Sequence, residues 1–297
     1  MVRDFFFTGR TKREVLEFHL LLTRLFHKQA AKPIPLEPDP HYETTYKAIL
    51  EQGLMLRSDM EEVGHPLDEL LSKNDDLSRD EPQIAANIGE QLQHMELQSL
   101  PLSVRRRIRD VVARVNPQNV VEVGSGIGHL SAWLYDLWQD DDIQPERYVL
   151  VEAGGKFGVI LKRLMQRYDA GRWSDIIVGD WSDIVSSQRA WTAANASNPL
   201  AANEKSPLPE SIDVCIIDVG WKNQNECVMN AVPLLGENGL LLTSEPEVPT
   251  EGEVDEEKVA AFNEWIMLIK MLNETHDVGF VPMFGGTLIG IKRRSVN

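Results

Sequence analysis

Apolar residues recur along the chain in two rhythms, and the change between them divides it. Near the start, Thr11-Lys12-Arg13-Glu14 has capping-box spacing and precedes Val15, Phe18, Leu22 and Leu25 at helical intervals, which predicts a helix over 11–29. Pro33, Pro35, Pro38 and Pro40 then break the pattern, because each lacks an amide donor and disfavours helix in the residue before it. Tyr42, Tyr46, Ile49, Leu50 and Leu54 suggest a second helix, and residues around Leu67 to Leu71 a short third one. The polar run Asn74 to Pro82 reads as a boundary. Residues 1–80 are therefore expected to form a helical extension, and residues 81–297 a separate domain.

From Gln83 onward, short apolar runs alternate with helical stretches. The runs are 119–123, 148–152, 176–178, 212–218, 239–243, 278–283 and 287–291; the helical stretches include 130–138, 156–168 and 223–235. Strands of this length alternating with helices predict an α/β fold, a Rossmann-like, doubly wound, seven-stranded and mostly parallel sheet. Only Phe284-Gly285-Gly286 separates the last two runs. That is too short for a parallel crossover, so they are expected to close the sheet as an antiparallel hairpin. Ser186 to Glu210 and the acidic Glu245 to Glu257 lack apolar periodicity and read as surface loops. Trp133 and Trp138 read as packing residues, and Arg105 to Arg109 as a solvated helix face.

Composition narrows the function. With 30 Lys+Arg against 46 Asp+Glu, the 297-residue chain carries a formal charge of -16, which disfavours a nucleic-acid or membrane-surface partner. Cys215 and Cys227 are too few for a disulfide framework and have no metal-ligand spacing. No run approaches a membrane span and no secretory segment is read at the start, so a cytoplasmic protein is expected. His129 lies beside closely spaced glycines, where a structural role is expected ahead of contact with a substrate, and the other six histidines form no ligand-spaced cluster.

The most informative segment is Val120 to Ser131, VVEVGSGIGHLS. A buried strand runs into closely spaced glycines and a helix follows at once, the arrangement in which backbone approaches a nucleotide-like ligand. A dinucleotide fingerprint would need glycine at position six, which is His129. Instead Glu122, Gly124, Gly126 and Gly128 form E-x-G-x-G-x-G. Lysine-containing P-loop, Gly-x-Ser-x-Gly and HExxH signatures are absent.

This pattern resembles motif I of the class I S-adenosylmethionine-dependent methyltransferases. The resemblance implies that Glu122, Gly124, Ser125, Gly126 and Gly128 form a loop for a cationic sulfonium cofactor. It implies that Glu152, ending YVLVE, accepts the ribose hydroxyls. At Gly179-Asp180-Trp181, Asp180 would accept from the adenine amine and Trp181 would offer a stacking face.

Beyond the cofactor half, the block 212–223 (IDVCIIDVGWKN) lacks the Asn/Asp-Pro-Pro-aromatic signature of amino-group methylation. It resembles the catechol and caffeoyl-CoA-type O-methyltransferases, as do Gly89 before a helix, Ala231 to Leu235 with Asn238-Gly239, Phe262-Asn263, and the closing Val281 to Leu288. The likeness runs from Gly89 onward and implies a small-molecule oxygen acceptor, a metal-binding and catalytic Asp218, and Lys222 as base. One departure stands out: the family's second metal pair, Asp-Asn, is Ser244-Glu245 here, followed by Pro246 and Glu247. A shifted magnesium site using Asp218 with Glu245 or Glu247, and loss of the metal, both remain open. So do an RNA or protein acceptor chosen by residues 1–80, a non-catalytic cofactor-binding protein, and a homodimer.

Overall fold

The computed structural model describes residues 65–139, 143–197, 205–247 and 255–294. The expected helices at 11–29 and 42–54 and the proline-broken segment between them lie outside these residues. So do 198–204 and 248–254 of the two expected loops.

Two helices, α1 (Gln83–His94) and α2 (Leu102–Val115), lead into the sheet. Then β1 (Asn119–Val123), α3 (His129–Leu137), β2 (Arg147–Glu152), α4 (Gly155–Arg167), β3 (Ser174–Val178) and α5 (Trp181–Ser197) alternate. The second half comprises β4 (Ile212–Ile217), α6 (Trp221–Ala231), β5 (Leu235–Ser244), α7 (Glu256–Leu272), β6 (His276–Met283) and β7 (Gly286–Arg293). The seven strands lie in the order β3-β2-β1-β4-β5-β7-β6. The first five are parallel, and β7 runs antiparallel between β5 and β6. This is the doubly wound sheet with a terminal hairpin that the apolar runs predict. Val123 pairs with both Val151 and Ile217, so β1, β2 and β4 end level and their exits open together at one edge. That is where an open parallel sheet places its ligands.

Alternation along the strands divides the packing. Val120, Tyr148, Leu150, Val214, Ile216, Leu240 and Leu242 bury one face against α1, α2 and α3. Trp133 and Trp138 are fully buried there, as expected, and Trp138 meets Tyr148 edge-on at 5.1 Å between ring centroids.

Two expectations fail. Residues 186–197 belong to α5 rather than to a loop. The polar side chains are accommodated because Ser186, Ser187, Thr192 and Ser197 turn their hydroxyls back to the carbonyls four residues earlier, at 2.8–2.9 Å. Such local bonding satisfies the hydroxyls within the helix. The arginine run of α2 is likewise not a solvated face, since Arg105 and Arg109 are both only 6% exposed.

These arginines grip the segment before α1. Arg107 donates to the Leu71 carbonyl at 2.8 Å and Arg109 to that of Ser78 at 2.6 Å. Arg114 donates to the carbonyls of Leu70, Ser72 and Lys73 at 2.8–3.1 Å. In return Arg79 pairs with the fully buried Asp110 at 2.7 Å. Residues 67–71 form a single helical turn closed by Leu71 N–H to the Leu67 carbonyl at 2.8 Å. Leu71 lies on the paired Gly279 and Gly290 of β6 and β7, where an added Cβ would come within 2.8 Å of its methyls.

Candidate functional site

At the exit of β1 the chain makes a tight loop whose glycines 124, 126 and 128 have φ of +83°, +56° and +88°. Other residues reach this region only at a cost of about 1–2 kcal/mol. Gly124 also passes against β4, where a Cβ would stand 2.1 Å from the Asp218 carbonyl oxygen. The Gly124 and Ser125 amides donate to the Val151 carbonyl, and the Asp218 amide to that of Val123, at 2.9–3.2 Å. The exits of β1, β2 and β4 are thus fastened to one another.

Glu152 ends β2 and faces this loop. Its Oε2 accepts the Gly126 N–H and its Oε1 the Gly154 N–H, both at 2.8 Å. At the β3 exit, Asp180 accepts the N–H and hydroxyl of Ser182 at 2.9 and 2.7 Å, which holds its carboxyl below the usual carboxylate range. Trp181 is 5% exposed, its indole N–H donating to the Cys227 carbonyl at 3.2 Å, so the ring is fixed between α5 and α6. Gly124, Glu152, Asp180, Trp181 and Asp218 line one cleft of about 290 Å³, with Asn223, Glu226 and Asn230 of α6 opposite. Burial pushes the Asp218 carboxyl up to about 7, partly opposed by the positive charge of Arg105.

Three sequence expectations are placed differently. Glu122 does not line the cleft; it is 1% exposed beneath the loop, where it accepts from the Ser131 hydroxyl at 2.9 Å and from the Tyr148 hydroxyl. Strand alternation accounts for this, since Glu122 sits level with Ile216 on the face packed by α3. Ser125, Gly126 and Gly128 shape the loop without lining the cleft. Lys222 is exposed, 2.7 Å from Glu257 and 5.1 Å above the Trp221 ring. That ion pair raises its pKa, the opposite of what a base needs.

The metal set is not assembled either. Among the described residues no three His, Cys, Asp or Glu side chains gather to hold an ion. The buried Gln224 takes the space between the β4 and β5 exits, donating to Thr243 Oγ1 at 3.0 Å and to the Ser244 carbonyl at 2.5 Å.

A polar cluster beside the loop has no counterpart in the sequence reading. Glu81 Oε1 lies 3.1 Å from Arg105 and 3.3 Å from His129 Nε2, while Ser99 Oγ lies 3.0 Å from His129 Nδ1 and 3.0 Å from Arg105. Burial and the neighbouring Arg105 pull the His129 pKa down to about 4, which keeps its imidazole neutral. The four residues come from a polar boundary, a loop and two helices, and no local spacing signals their meeting.

The buried Glu122 has a measurable consequence. Burial raises its carboxyl from 4.5 to about 7 against the pull of the two hydroxyls. Between those values the folded chain holds a proton that the unfolded chain has released. Stability fully present below about pH 4.5 is therefore lost as pH rises through 7, by about 3 kcal/mol. Asp218, raised in the same direction, adds to the trend. Glu122→Gln should raise the thermal midpoint at about pH 8 and leave it little changed at about pH 5; a variant parallel to wild type at both would remove Glu122 as the source.

No protein-family model and no curated protein sequence matches the chain. Solved structures do. The O-methyltransferase TomG of Streptomyces achromogenes, involved in tomaymycin synthesis and solved with S-adenosylmethionine, aligns with TM-score 0.55 and 14% identity over 72% of this chain and 92% of its own. An O-methyltransferase of Bacillus cereus, in complex with S-adenosylhomocysteine, gives 0.51 and 14% over 80% and 97%. The S-adenosylhomocysteine-bound methyltransferase PaMTH1 of Podospora anserina gives 0.51 and 15% over 89% and 100%. With its strand order and reversed final hairpin, the chain has the Rossmann-like methyltransferase fold.

Proposed function

We propose that the protein is an S-adenosylmethionine-dependent methyltransferase acting on an oxygen of a small molecule. The observation that carries this reading is the convergence of Gly124, Glu152, Asp180 and Trp181 from three successive strand exits on one cleft. Their chemistry fits the cofactor. The Glu152 carboxylate, already oriented by two amides, can accept a pair of ribose hydroxyls. Asp180 can accept from an adenine amine, and Trp181 supplies an apolar wall. The acidic lining, with Glu226 and Asp218 added, suits a cation.

When bound, S-adenosylmethionine supplies a sulfonium methyl open to in-line displacement by an acceptor oxygen. The chain's part is to align that oxygen and receive its proton. Asp218, which lines the cleft and has a carboxyl near 7, is the group suited to proton exchange; Lys222, held in its charged form outside, is not. The related structures bound to cofactor or its product, each named as a methyltransferase, support the same reading. Among the described residues no helix is long and apolar enough to cross a membrane. We further propose a cytoplasmic location, and a role for the part of the 1–80 extension that precedes Leu67 as an acceptor-side cap or a dimerisation element.

Calorimetry of the full chain with S-adenosylmethionine tests the core of this. Saturable binding tighter than about 100 μM is expected; its absence at millimolar cofactor would refute the reading. Turnover on a phenol and catechol panel then separates an enzyme from a protein that only binds cofactor.

A further inference from the structure

We infer that the acceptor end of this site works without a divalent cation, the side-chain amide of Gln224 joining the β4 and β5 exits where the resembled enzymes hold an ion. The inference rests on the methyltransferase reading and follows from four features of these exits.

The first is a neutral hydrogen-bonded chain across them. Thr243 Oγ1 donates to the Ile217 carbonyl at 2.9 Å and accepts from Gln224 Nε2 at 3.0 Å, and the same nitrogen donates to the Ser244 carbonyl. Gln224 is only 4% exposed, so water is kept from the bridge. Two oxygens that an ion could have used are occupied by an amide that carries no charge.

The second is direction. Asp218 follows Ile216 by two residues, and Ile216 belongs to the core beneath α2; alternation turns Asp218 the same way, towards Arg105. Thr243 points the other way, to α6, as its bond to Gln224 shows. Glu245 follows Thr243 by two and is still paired to β7 through its amide and the Thr287 carbonyl at 2.9 Å. Its carboxylate therefore leaves the opposite face of the sheet from that of Asp218. Magnesium needs several hard oxygens in near-octahedral array, and two carboxylates on opposite faces do not provide one.

The third is charge. Arg105 is fixed by Glu81, Ser99 and the Leu100 carbonyl, and its guanidinium already acts on Asp218. A dication brought to Asp218 would have to compete with that resident cation for the carboxylate. The fourth is the place of Lys222, which stands in solvent beside Glu257 and outside the cleft lining, so among the described residues no lysine base accompanies an ion at these exits.

The full-length chain, stripped with EDTA, should be titrated with magnesium, manganese and calcium chlorides, with and without S-adenosylhomocysteine, and followed by calorimetry and thermal unfolding. No saturable binding tighter than about 1 mM is expected, and neither the melting midpoint nor S-adenosylhomocysteine affinity should differ between EDTA and magnesium. Saturable cation binding that disappears in Asp218→Asn would overturn the inference. Gln224→Ala should lower the midpoint by about 5 °C, with or without cation; an unchanged midpoint would overturn the bridging role of the amide. Failure to bind S-adenosylhomocysteine would instead refute the methyltransferase reading, while the cation titration would still report on the exits.

Discussion

Glu152→Ala is expected to bind S-adenosylhomocysteine about 100-fold more weakly than the wild-type chain, a loss of about 3 kcal/mol for two charge-assisted hydrogen bonds. The size of the effect reflects how the carboxylate is prepared. Gly126 and Gly154 hold it at the β2 exit through their amides, so little ordering remains when ribose hydroxyls arrive. Alanine removes both the acceptor and the tie between the glycine loop and β2. Glu152→Gln keeps one carbonyl oxygen and should fall between the two. Calorimetry on all three proteins decides the matter. Affinities within threefold of one another would mean that the ribose is held elsewhere.

Gly124→Ala should be the most damaging change in the loop. A Cβ there would stand 2.1 Å from the Asp218 carbonyl oxygen, in a residue already at φ +83°. Relieving the overlap requires moving β1 away from β4, because the Asp218 amide is bonded to the Val123 carbonyl at 2.9 Å. Left-handed strain and overpacking together cost about 3–5 kcal/mol, or roughly 10 °C in melting midpoint. Gly126→Ala is the internal comparison, since its φ is +56° but its Cβ would meet nothing within 4 Å. It should lose only about 1–2 kcal/mol. Equal losses at the two positions, measured by urea unfolding, would show that close approach to β4 is not what selects glycine at 124.

The sheet was legible because parallel strands buried on both faces appear as continuous apolar runs, and because a three-residue connection admits only a hairpin. Glu152, Asp180 and the glycine loop were singled out by their resemblance to a methyltransferase pattern, and their common cleft follows because each comes just after a strand and the edge at which those strands end is shared. What a strand exit does not encode is which face receives a side chain and what awaits it. Glu122 has the right spacing, but its face is that of Ser131 and Tyr148. Lys222 has the right neighbourhood, but a carboxylate 35 residues away holds it in solvent. Residues 186–197 read as a loop because an Ala-, Asn- and Ser-rich stretch shows no apolar period; in the helix their hydroxyls bond to carbonyls of their own backbone. Gln224, Glu81 and Ser99 lacked any signal, because their roles depend on partners brought close only by the finished fold.

The grip of α2 on the segment before it bears on where this protein can be cut. A fragment starting at residue 81, where the rhythm of apolar positions changes, would retain Arg107, Arg109 and Arg114 but lose the carbonyls of residues 70–78 that receive them. It would also leave Asp110, with no exposure of its own, without Arg79. Among the described residues Arg109, 3.3 Å away, would then be the one ion-pair partner left to that buried carboxylate, and a buried pair stripped of part of its network is destabilised, so such a fragment should be recovered largely as insoluble material. One that retains Leu67 and everything after it keeps both the acceptors and the leucine seated on Gly279 and Gly290. The shortest fragment that folds by itself is therefore set by where the arginines find their oxygens, upstream of where the strands and helices begin to alternate.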